Sequence, residues 1–369
     1  MSFIEMIHSG ILFKNPKPYL KSVQAYFPSV VQCDNGDFVA AAVVGEAFEA
    51  VNLRNILFRS KDNGATWELQ GPLYEPEPGK PISEACRIAK SKTGELSAFI
   101  MRHDRFREDF GLTNPDTLGF VPVTLAMSFS NDHGYTWSKP EPFDPPLIGP
   151  AFEMCSPVTY YKDICLLPTS TWPDWDGNCP EGLKMVAFLS YDQGRTWPEY
   201  TVVMQRPERR IYFWESKIIP VDSGRLLAVA WAYDDEAGAD LENHYAISDD
   251  GGKTFGPAMS TGLQGQTLTS IYIEDGRILS AYRRMDKRGL WLNLSVLDGD
   301  RWINIDQTPL WGADEDNLTG QGKNMSEKFK ELKFGAPHML KCKDGTILLS
   351  FWCVENGLGI IRFCRFKIK

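Results

Sequence analysis

Residues 60–67 read Ser-Lys-Asp-Asn-Gly-Ala-Thr-Trp, and this octapeptide is the stretch of sequence that decides the fold. Its pattern, Ser-x-Asp-x-Gly-x-Thr-Trp, returns at residues 130–137 and 190–197, and a fourth copy at 248–255 ends in Phe instead of Trp. A pattern that returns along a chain indicates repeated supersecondary units, which stack to bury a shared core. The chain is therefore predicted to be a repeat protein.

The residue types of the octapeptide are typical of a tight hairpin turn. The Asp is expected to cap backbone amides of the turn, the Gly to adopt a positive φ, and the Trp to pack beneath the turn. The alternative is a binding role for the four aspartates, Asp62, Asp132, Asp192 and Asp250. We favour the structural interpretation, because the turn accounts for each fixed residue type of the pattern.

Composition limits the class of protein and its partners. The 369 residues include 11 Trp, 21 Phe and 13 Tyr as core material, with 31 Gly and 24 Pro for turns, which indicates one all-β domain. The net charge is −9 and no run of Lys or Arg could follow a phosphate backbone, so no nucleic-acid partner is expected. No basic segment with a long apolar run follows the N-terminus, so we expect no membrane partner and a cytoplasmic location.

Cysteine and histidine spacing gives no sign of a metal site. The eight cysteines lack metal-ligand spacing, and the five histidines are dispersed along the chain. Many cysteines lie in apolar runs such as residues 163–167, so we predict reduced core residues. A disulfide framework is the alternative if the protein is exported. We expect no metal and no cofactor.

A second, weaker repeat consists of an apolar strand, a turn that usually ends in Gly, and another apolar strand. Six such turns are Asn35-Gly36, Thr93-Gly94, Lys162-Asp163, Ser223-Gly224, Asp275-Gly276 and Asp344-Gly345. Six copies predict a six-bladed β-propeller with four-stranded blades, as a single domain over residues 1–369. The last blade shows only three strand candidates, so a strand at about residues 6–14 is predicted to close it and join the termini.

Three long insertions interrupt the repeat, at residues 102–121, 172–182 and 312–329. Loops of this length usually carry function or are mobile. Residues 101–109 combine acids, bases and His103, which is compatible with a site residue or with a solvated loop of ion pairs.

The first strands of the blades are predicted to surround the central axis, where ligands bind in propellers. Aligned on the six turns, the starts of these strands hold carboxylates, bases and aromatic residues. Aromatic faces stack on sugar rings and basic groups neutralise an acidic sugar, so the set predicts a sugar site. Its predicted members are Tyr26, Glu84, Arg87, Glu153, Trp214, Glu215, Lys217, Gln266 and His338. The alternative is a ring of ion pairs that only holds the funnel together.

The octapeptides are similar to the Asp-boxes of the sialidase (neuraminidase) superfamily, whose members are six-bladed β-propellers with boxes on outer hairpins away from the active site. Residues 214–227, WESKIIPVDSGRLL, resemble that family's glutamate-bearing strand. The resemblance implies that Glu215 polarises a nucleophile and that Arg288 is one of three arginines that bind the substrate carboxylate.

The sequence departs from the family at its other functional positions. The first and second arginines are replaced by Tyr26 and Trp231, and residues 334–338, FGAPH, contain no nucleophilic Tyr. Residues 45–49, GEAFE, stand where the family has its acid/base Asp. The departures from the arginine triad and the nucleophile predict chemistry other than that of an ordinary sialidase.

Three functions are compatible with these residues. The first is an exo-acting glycosidase that cuts a terminal sugar from an oligosaccharide, with Glu215 and a second carboxylate from Glu84, Glu153 or Asp104. Arg87, Arg283 and Arg288 would then hold a sugar carboxylate. The second is a lyase in which His338 or His103 removes a proton from a uronic acid. The third is a sugar-binding propeller without catalysis.

Overall fold

The computed structural model describes residues 2–75, 79–149, 151–154, 156–221, 224–273, 276–320 and 325–369. Of the sequence-based predictions, Cys155, Ser223 and Asp275 lie outside these residues, as does part of the third insertion. The described chain forms β-strands throughout, apart from one short helix, α1 (Met325–Phe329). Its hydrogen bonds join the strands into five sheets.

The first two sheets are four-stranded antiparallel meanders in chain order. The first contains β2 (Gln24–Gln32), β3 (Phe38–Gly45), β4 (Arg54–Ser60) and β5 (Glu68–Pro72). The second contains β6 (Ile82–Lys90), β7 (Leu96–Asp104), β8 (Val123–Ser130) and β9 (Glu141–Phe143).

The third sheet has a divided first strand. Two short strands, β10 (Ala151–Phe152) and β11 (Thr159–Tyr161), both pair with β12 (Ile164–Trp172). β13 (Lys184–Ser190) and β14 (Glu199–Gln205) complete it.

The fourth sheet has eight strands and includes the longest strand of the protein. Its strands are β15 (Ile211–Pro220), β16 (Leu226–Asp234), β17 (Ala239–Asp240), β18 (Glu242–Ser248), β19 (Met259–Tyr272), β20 (Arg277–Arg284), β21 (Leu290–Asp298) and β22 (Arg301–Trp311). The first part of β19 pairs with β18, and the part from Gly265 onward pairs with β20.

The fifth sheet joins the two ends of the chain. It consists of β1 (Ile4–Phe13), β23 (Phe334–Lys341), β24 (Ile347–Glu355) and β25 (Leu358–Ile368) in the order β1-β25-β24-β23. β1 pairs antiparallel with β25, with Ile4 opposite Ile368. The segment near the N-terminus that was expected to supply the outer strand therefore lies at the outer edge of this sheet.

The inner strands contact one another around a central axis. β15 contacts β19, β19 contacts β23, β23 contacts β2, and β2 contacts β6. Apolar side chains fill the space between adjacent sheets, as where Phe38 and Phe58 pack in one cluster with Leu348 of the fifth sheet. Each such fully buried side chain contributes roughly 1.5–3 kcal/mol relative to exposure. The fold is an all-β propeller.

Each octapeptide forms a hairpin between the third and fourth strands of its unit. In all four copies the Asp carboxylate accepts a hydrogen bond of 2.9 Å from the backbone N–H of the Thr four residues later. The Gly adopts a positive φ, 83° at Gly64, and Trp67, Trp137 and Trp197 pack on core clusters. The predicted turn chemistry is therefore confirmed.

The cysteines in the described residues are unpaired. Seven are free, and all of these except Cys179 are buried. None of the helices described is both long and apolar enough to span a membrane.

Candidate active site

A bulge interrupts the first strand at one end of the axis in four units. The pairing register shifts after Tyr26 in β2, Trp214 in β15, Gln266 in β19 and Gly335 in β23. The next residue in each strand adopts a positive φ, and these residues are Phe27 (52°), Glu215 (48°), Thr267 (55°) and Ala336 (45°). Such a φ is unfavourable for a residue with a Cβ, so the surrounding strands must hold it. A bulge changes the direction of a side chain, and here it directs these residues to the axis.

Three of the bulge residues, Phe27, Glu215 and Ala336, line a central cavity of about 140 Å³, and Thr267 lines a smaller cavity beside it. The walls of the central cavity are largely aromatic, formed by Phe27, Phe48, Phe120, Trp172, Trp214, Trp231, Phe329 and Trp352. Its polar lining consists of Glu49, Glu84, Arg87, His103, Thr113, Glu153, Glu215 and Arg283. Aromatic walls with a few convergent polar groups are typical of a small-molecule site.

Glu215 lies at the centre of a hydrogen-bonded chain between neighbouring sheets. The Ala336 N–H donates to the Thr267 hydroxyl oxygen at 2.9 Å, and that hydroxyl donates to the Glu215 carboxylate. The Glu215 N–H donates to both carboxylate oxygens of Glu153 at 3.0 Å. Burial raises the pKa of Glu215, against the opposing effects of Thr267, Arg283 and Arg87. The carboxyl is thus fixed in position and inclined to hold its proton.

Arg283 is oriented by a second chain of hydrogen bonds. Its Nε donates to Gln266 Oε1 at 2.8 Å, and Gln266 Nε2 donates to Asp240 Oδ2 at 2.7 Å. Asp240 also accepts a 2.7 Å bond from Trp231 Nε1. Burial lowers the pKa of Arg283 to about 10, while Glu215 and Asp240 act in the opposite direction. The guanidinium therefore remains charged near neutral pH and faces the cavity with a fixed orientation.

Gly335 makes room for that guanidinium. Arg283 NH1 donates to the Phe334 carbonyl at 2.5 Å, and a Cβ added at Gly335 would lie 2.6 Å from the same nitrogen. A side chain at this position would displace Arg283 from the wall. The close approach of the guanidinium therefore requires glycine at position 335.

Glu84 and His103 form another polar part of the wall. Glu84 accepts hydrogen bonds from the Tyr74 hydroxyl and from Asn55, and Arg102 lies 3.7 Å from its carboxylate. Burial raises the pKa of Glu84. Burial lowers the pKa of His103 to about 4, so its ring is neutral at pH 7, and its Nδ1 has no partner within the described residues.

Trp214 lies within a stack of aromatic rings. Its ring centroid is 5.1 Å from Trp172, 4.6 Å from Tyr212 and 5.1 Å from Tyr233. The buried indole nitrogens of Trp214 and Trp352 have no hydrogen-bond partner in the part of the chain that is described. Buried donors are usually satisfied, so these two groups are exceptions within the wall.

Loops from the predicted insertions complete the walls. Residues 102–121 contribute Leu112, Thr113 and Phe120. The second insertion, residues 172–182, contributes Trp172. The third insertion contributes Phe329. The loop between β3 and β4, which includes residues 45–49, contributes Phe48 and Glu49.

Three residues predicted for the site lie elsewhere. Asp104 is exposed at the end of β7, because the alternation of the strand directs His103 and not Asp104 inward. Arg288 is 59% exposed in the loop before β21, where it pairs with Asp316 at 2.6 Å. Tyr26 packs behind the wall against Trp352, because the bulge brings its neighbour Phe27 to the cavity. These three residues therefore line neither the main cavity nor the smaller one beside it.

The other predicted residues occupy two cavities. Glu84, Arg87, His103, Glu153, Trp214, Glu215 and Arg283 line the main cavity. Lys217 and His338 line a smaller adjacent cavity, which shares Arg87, Glu215 and Ala336 with the first. Gln266 lines neither cavity and acts through Arg283.

The structure adds residues that the alignment of the first strands did not indicate. Glu49, Trp352 and Asp240 belong to a loop, a second strand and a short edge strand, outside the aligned first strands. Glu49 accepts a 3.2 Å bond from the Leu112 N–H, and burial raises its pKa. Among the residues described, no group of three or more His, Cys, Asp or Glu could hold a metal ion.

Comparison with known proteins identifies the fold. Neither the protein-family models nor the curated proteins that were compared include a match to this sequence. Solved structures do match: a Dyadobacter fermentans protein of unknown function has 19% identity and a TM-score of 0.75, with 100% of both chains covered.

Two further solved structures are enzymes that act on carbohydrates. The α-L-arabinanase of Penicillium chrysogenum, in complex with arabinobiose, has 15% identity and a TM-score of 0.69, with 99% of both chains covered. The NanB sialidase of Streptococcus pneumoniae has 10% identity and a TM-score of 0.67, with 97% of this chain and 70% of that chain covered. The chain has the sialidase-like β-propeller fold that these glycosidases share.

Proposed function

We propose that this protein is a glycoside hydrolase that removes a terminal sugar from an oligosaccharide, with Glu215 as its central catalytic group. The observation that carries the proposal is the position of Glu215, at a positive-φ bulge on the axis of the main cavity. The arabinanase and sialidase neighbours are consistent with this class of substrate. A cavity on the axis with walls formed by loops favours binding of the terminal sugar of an oligosaccharide.

The proposed chemistry uses two carboxyl groups. Glu215 donates its proton to the glycosidic oxygen as the bond to the anomeric carbon breaks, and its raised pKa supports this role. A second carboxylate, Glu153 or Glu84, takes a proton from the water that attacks the anomeric carbon, and proton exchange with solvent then returns both carboxyl groups to their starting states. No tyrosine is present among the described residues of either cavity lining, so a tyrosine nucleophile is not part of this mechanism.

Arg87 and Arg283 are proposed to bind an acidic group on the sugar. Both lie in the main cavity, and their charges act on Glu215. A guanidinium fork matches a carboxylate in geometry, which favours a sialic or hexuronic acid over a neutral sugar. The aromatic rings of Trp214 and Trp352 line the same cavity and would pack against the sugar ring.

A panel of aryl glycosides tests this function. Aryl sialosides, hexuronides, α-L-arabinofuranosides and neutral hexosides are incubated with the protein, and the released phenol is measured. We expect release from at least one acidic glycoside and a loss of about 10³-fold or more in kcat for Glu215→Gln. Glu141→Gln, on an exposed outer strand, is the matched control and keeps full activity. No release from any glycoside would contradict the proposal and favour a sugar-binding propeller.

A lyase is the second candidate, and His103 favours it. This residue lines the main cavity and its ring is neutral at pH 7, as a base for proton removal requires. The lyase would remove the C5 proton of a uronic acid and expel the glycosidic oxygen, which leaves a double bond. An ultraviolet chromophore that forms as the substrate is cleaved, and is abolished by His103→Gln, would select this function, because hydrolysis forms no double bond.

We also propose that the ring has six blades. The eight-stranded sheet would then be two blades joined through β19, whose pairing changes from β18 to β20 at Gly265. Each half has its own first-strand bulge, at Glu215 and Thr267, which supports two units. An experimental electron-density map that merged these strands into a single blade would contradict the count.

A further inference from the structure

The smaller cavity contains basic groups that the proposed hydrolysis does not use. Its volume is about 30 Å³, and its lining consists of Pro28, Arg87, Ser156, Pro157, Glu215, Lys217, Thr267, Leu268, Thr269, Ala336, Pro337 and His338. Lys217 and His338 line this cavity but not the main one.

The Lys217 ammonium is incompletely satisfied by the protein. Its Nζ donates to Thr269 Oγ1 at 3.1 Å, and an ammonium group has three N–H donors. No carboxylate of the described residues forms an ion pair with Lys217. Burial lowers its pKa to about 8, so the group is still charged at neutral pH. A buried, charged amine without a paired carboxylate is stabilised when an anion binds beside it.

His338 directs a second donor to the same cavity. The Val30 N–H donates to His338 Nδ1 at 3.3 Å, so the ring proton is on Nε2. Nε2 has no hydrogen-bond partner among the described residues. Burial, followed by the charges of Lys217 and Arg87, lowers the pKa of His338, so the neutral ring is an N–H donor.

The charges around the cavity sum to an excess of positive charge. β6 contributes Arg87, β15 contributes Glu215 and Lys217, and β23 contributes the neutral His338. β19 and the segments with Pro28 and Ser156 contribute no charged side chain to the lining. Burial inclines Glu215 to hold its proton, so it supplies little negative charge to compensate Lys217.

We propose that this smaller cavity binds one small monovalent anion, a halide or a carboxylate group, through Lys217 and His338. The volume of about 30 Å³ is sufficient for an ion of one to a few atoms. The proposal does not depend on the glycosidase function, because Lys217 and His338 line only the smaller cavity and the test uses no substrate.

Thermal unfolding of the intact protein tests the site. Melting temperatures are compared in sodium chloride, bromide and formate against sodium gluconate, whose anion is too large for the cavity, at equal ionic strength. We expect a saturable rise of about 2 °C in at least one of the three salts of small anions. If only the halides raise the melting temperature, the bound ion is a free inorganic ion. If only formate raises it, the bound group is a carboxylate.

Two variants and the pH dependence make the test specific. Lys217→Met is expected to abolish the difference between salts, whereas Lys61→Met, on an exposed hairpin, keeps it. The apparent affinity is expected to fall about tenfold per pH unit above pH 8, as Lys217 loses its proton. Equal melting temperatures in all four salts, or an anion effect that persists in Lys217→Met, would overturn the proposal.

Crystals soaked in bromide give an independent measurement that does not require a stable variant. An anomalous peak within hydrogen-bonding distance of Lys217 Nζ and His338 Nε2 is expected. The absence of such a peak, together with no effect of formate on melting, would also overturn the proposal.

Discussion

The outer hairpins and the inner bulges are each found four times in the described chain, yet only the hairpins repeat in sequence. Each hairpin satisfies its own hydrogen bonds within eight residues, as when Asp62 accepts from Thr66, so its residue types are fixed. A bulge is a backbone shape held by neighbouring strands, so its side chain can vary from Phe27 to Ala336. The outer edge of the sheets therefore maintains the fold, and the inner ends are free to carry chemistry.

Carboxyl groups behave in opposite ways in the two regions. Hydrogen bonds from the Thr66 side chain and backbone lower the pKa of Asp62 to about 2. Burial raises the pKa of Glu215, Glu84 and Glu49. Locally satisfied anions stabilise the folded chain, whereas the cavity retains carboxyl groups at a cost in stability, which is typical of functional sites.

The largest expected effect is on stability, and it distinguishes the buried Arg283 near the axis from the exposed Arg288. Arg283→Met should lower the free energy of unfolding by about 3 kcal/mol, because Glu215, Gln266 and Asp240 lose a charged partner. Guanidinium chloride unfolding, followed by tryptophan fluorescence, measures the change.

Arg288→Met is the matched control for this prediction. Arg288 forms an exposed ion pair with Asp316, so its replacement should change stability by no more than about 0.5 kcal/mol. The loss of unfolding free energy for Arg283→Lys should lie between these two values, since lysine restores the positive charge but not the planar guanidinium. Equal losses for Arg283→Met and Arg288→Met would show that the chain of bonds through Gln266 has no energetic role.

The next prediction applies the same chemical change, carboxylate to amide, in both regions. The folded-state pKa of Asp62 is lower than its unfolded value, so its stabilisation is present above about pH 4 and is lost as the pH falls through about 2. Asp62→Asn should therefore cost about 1 kcal/mol at pH 7, with a smaller cost near pH 2.5.

Glu215→Gln should have the opposite sign. Its folded-state pKa is raised, so the stability linked to this group is present below its unfolded pKa and is lost as the pH rises through the folded value. The variant should gain about 1 kcal/mol at pH 8 and little at pH 4. Urea unfolding at several pH values measures both variants, and two pH profiles of the same sign would refute the contrast.

The sequence predicted the architecture well, because the determinants of the hairpins are local. The octapeptide and the turn repeat indicated an all-β propeller, and alignment of the first strands indicated Glu84, Arg87, Glu153, Trp214 and Glu215, which all line the main cavity. These residues could be found because strand register determines which side chains reach the axis.

The rest of the site depends on tertiary structure that the repeat does not encode. Phe48 and Glu49 reach the cavity through the path of a loop, and Trp352 reaches it from the second strand of its sheet. Arg288 matched a position along the chain, but the loop that carries it directs it to solvent. The bulges could not be predicted either, since Phe, Glu, Thr and Ala are not residue types that favour a positive φ.

The smallest expected effect tests whether the bulges store strain. Ala336 has φ 45°, a conformation that glycine adopts more readily, so Ala336→Gly should raise the free energy of unfolding by about 0.5 kcal/mol. Ala281 lies fully buried in β20 with ordinary strand conformation, so Ala281→Gly should lower it by about 1 kcal/mol. Urea unfolding of both variants measures the difference in sign. A loss in both would mean that the strands impose no strain at Ala336, and the bulge would then be a relaxed feature of the inner strands.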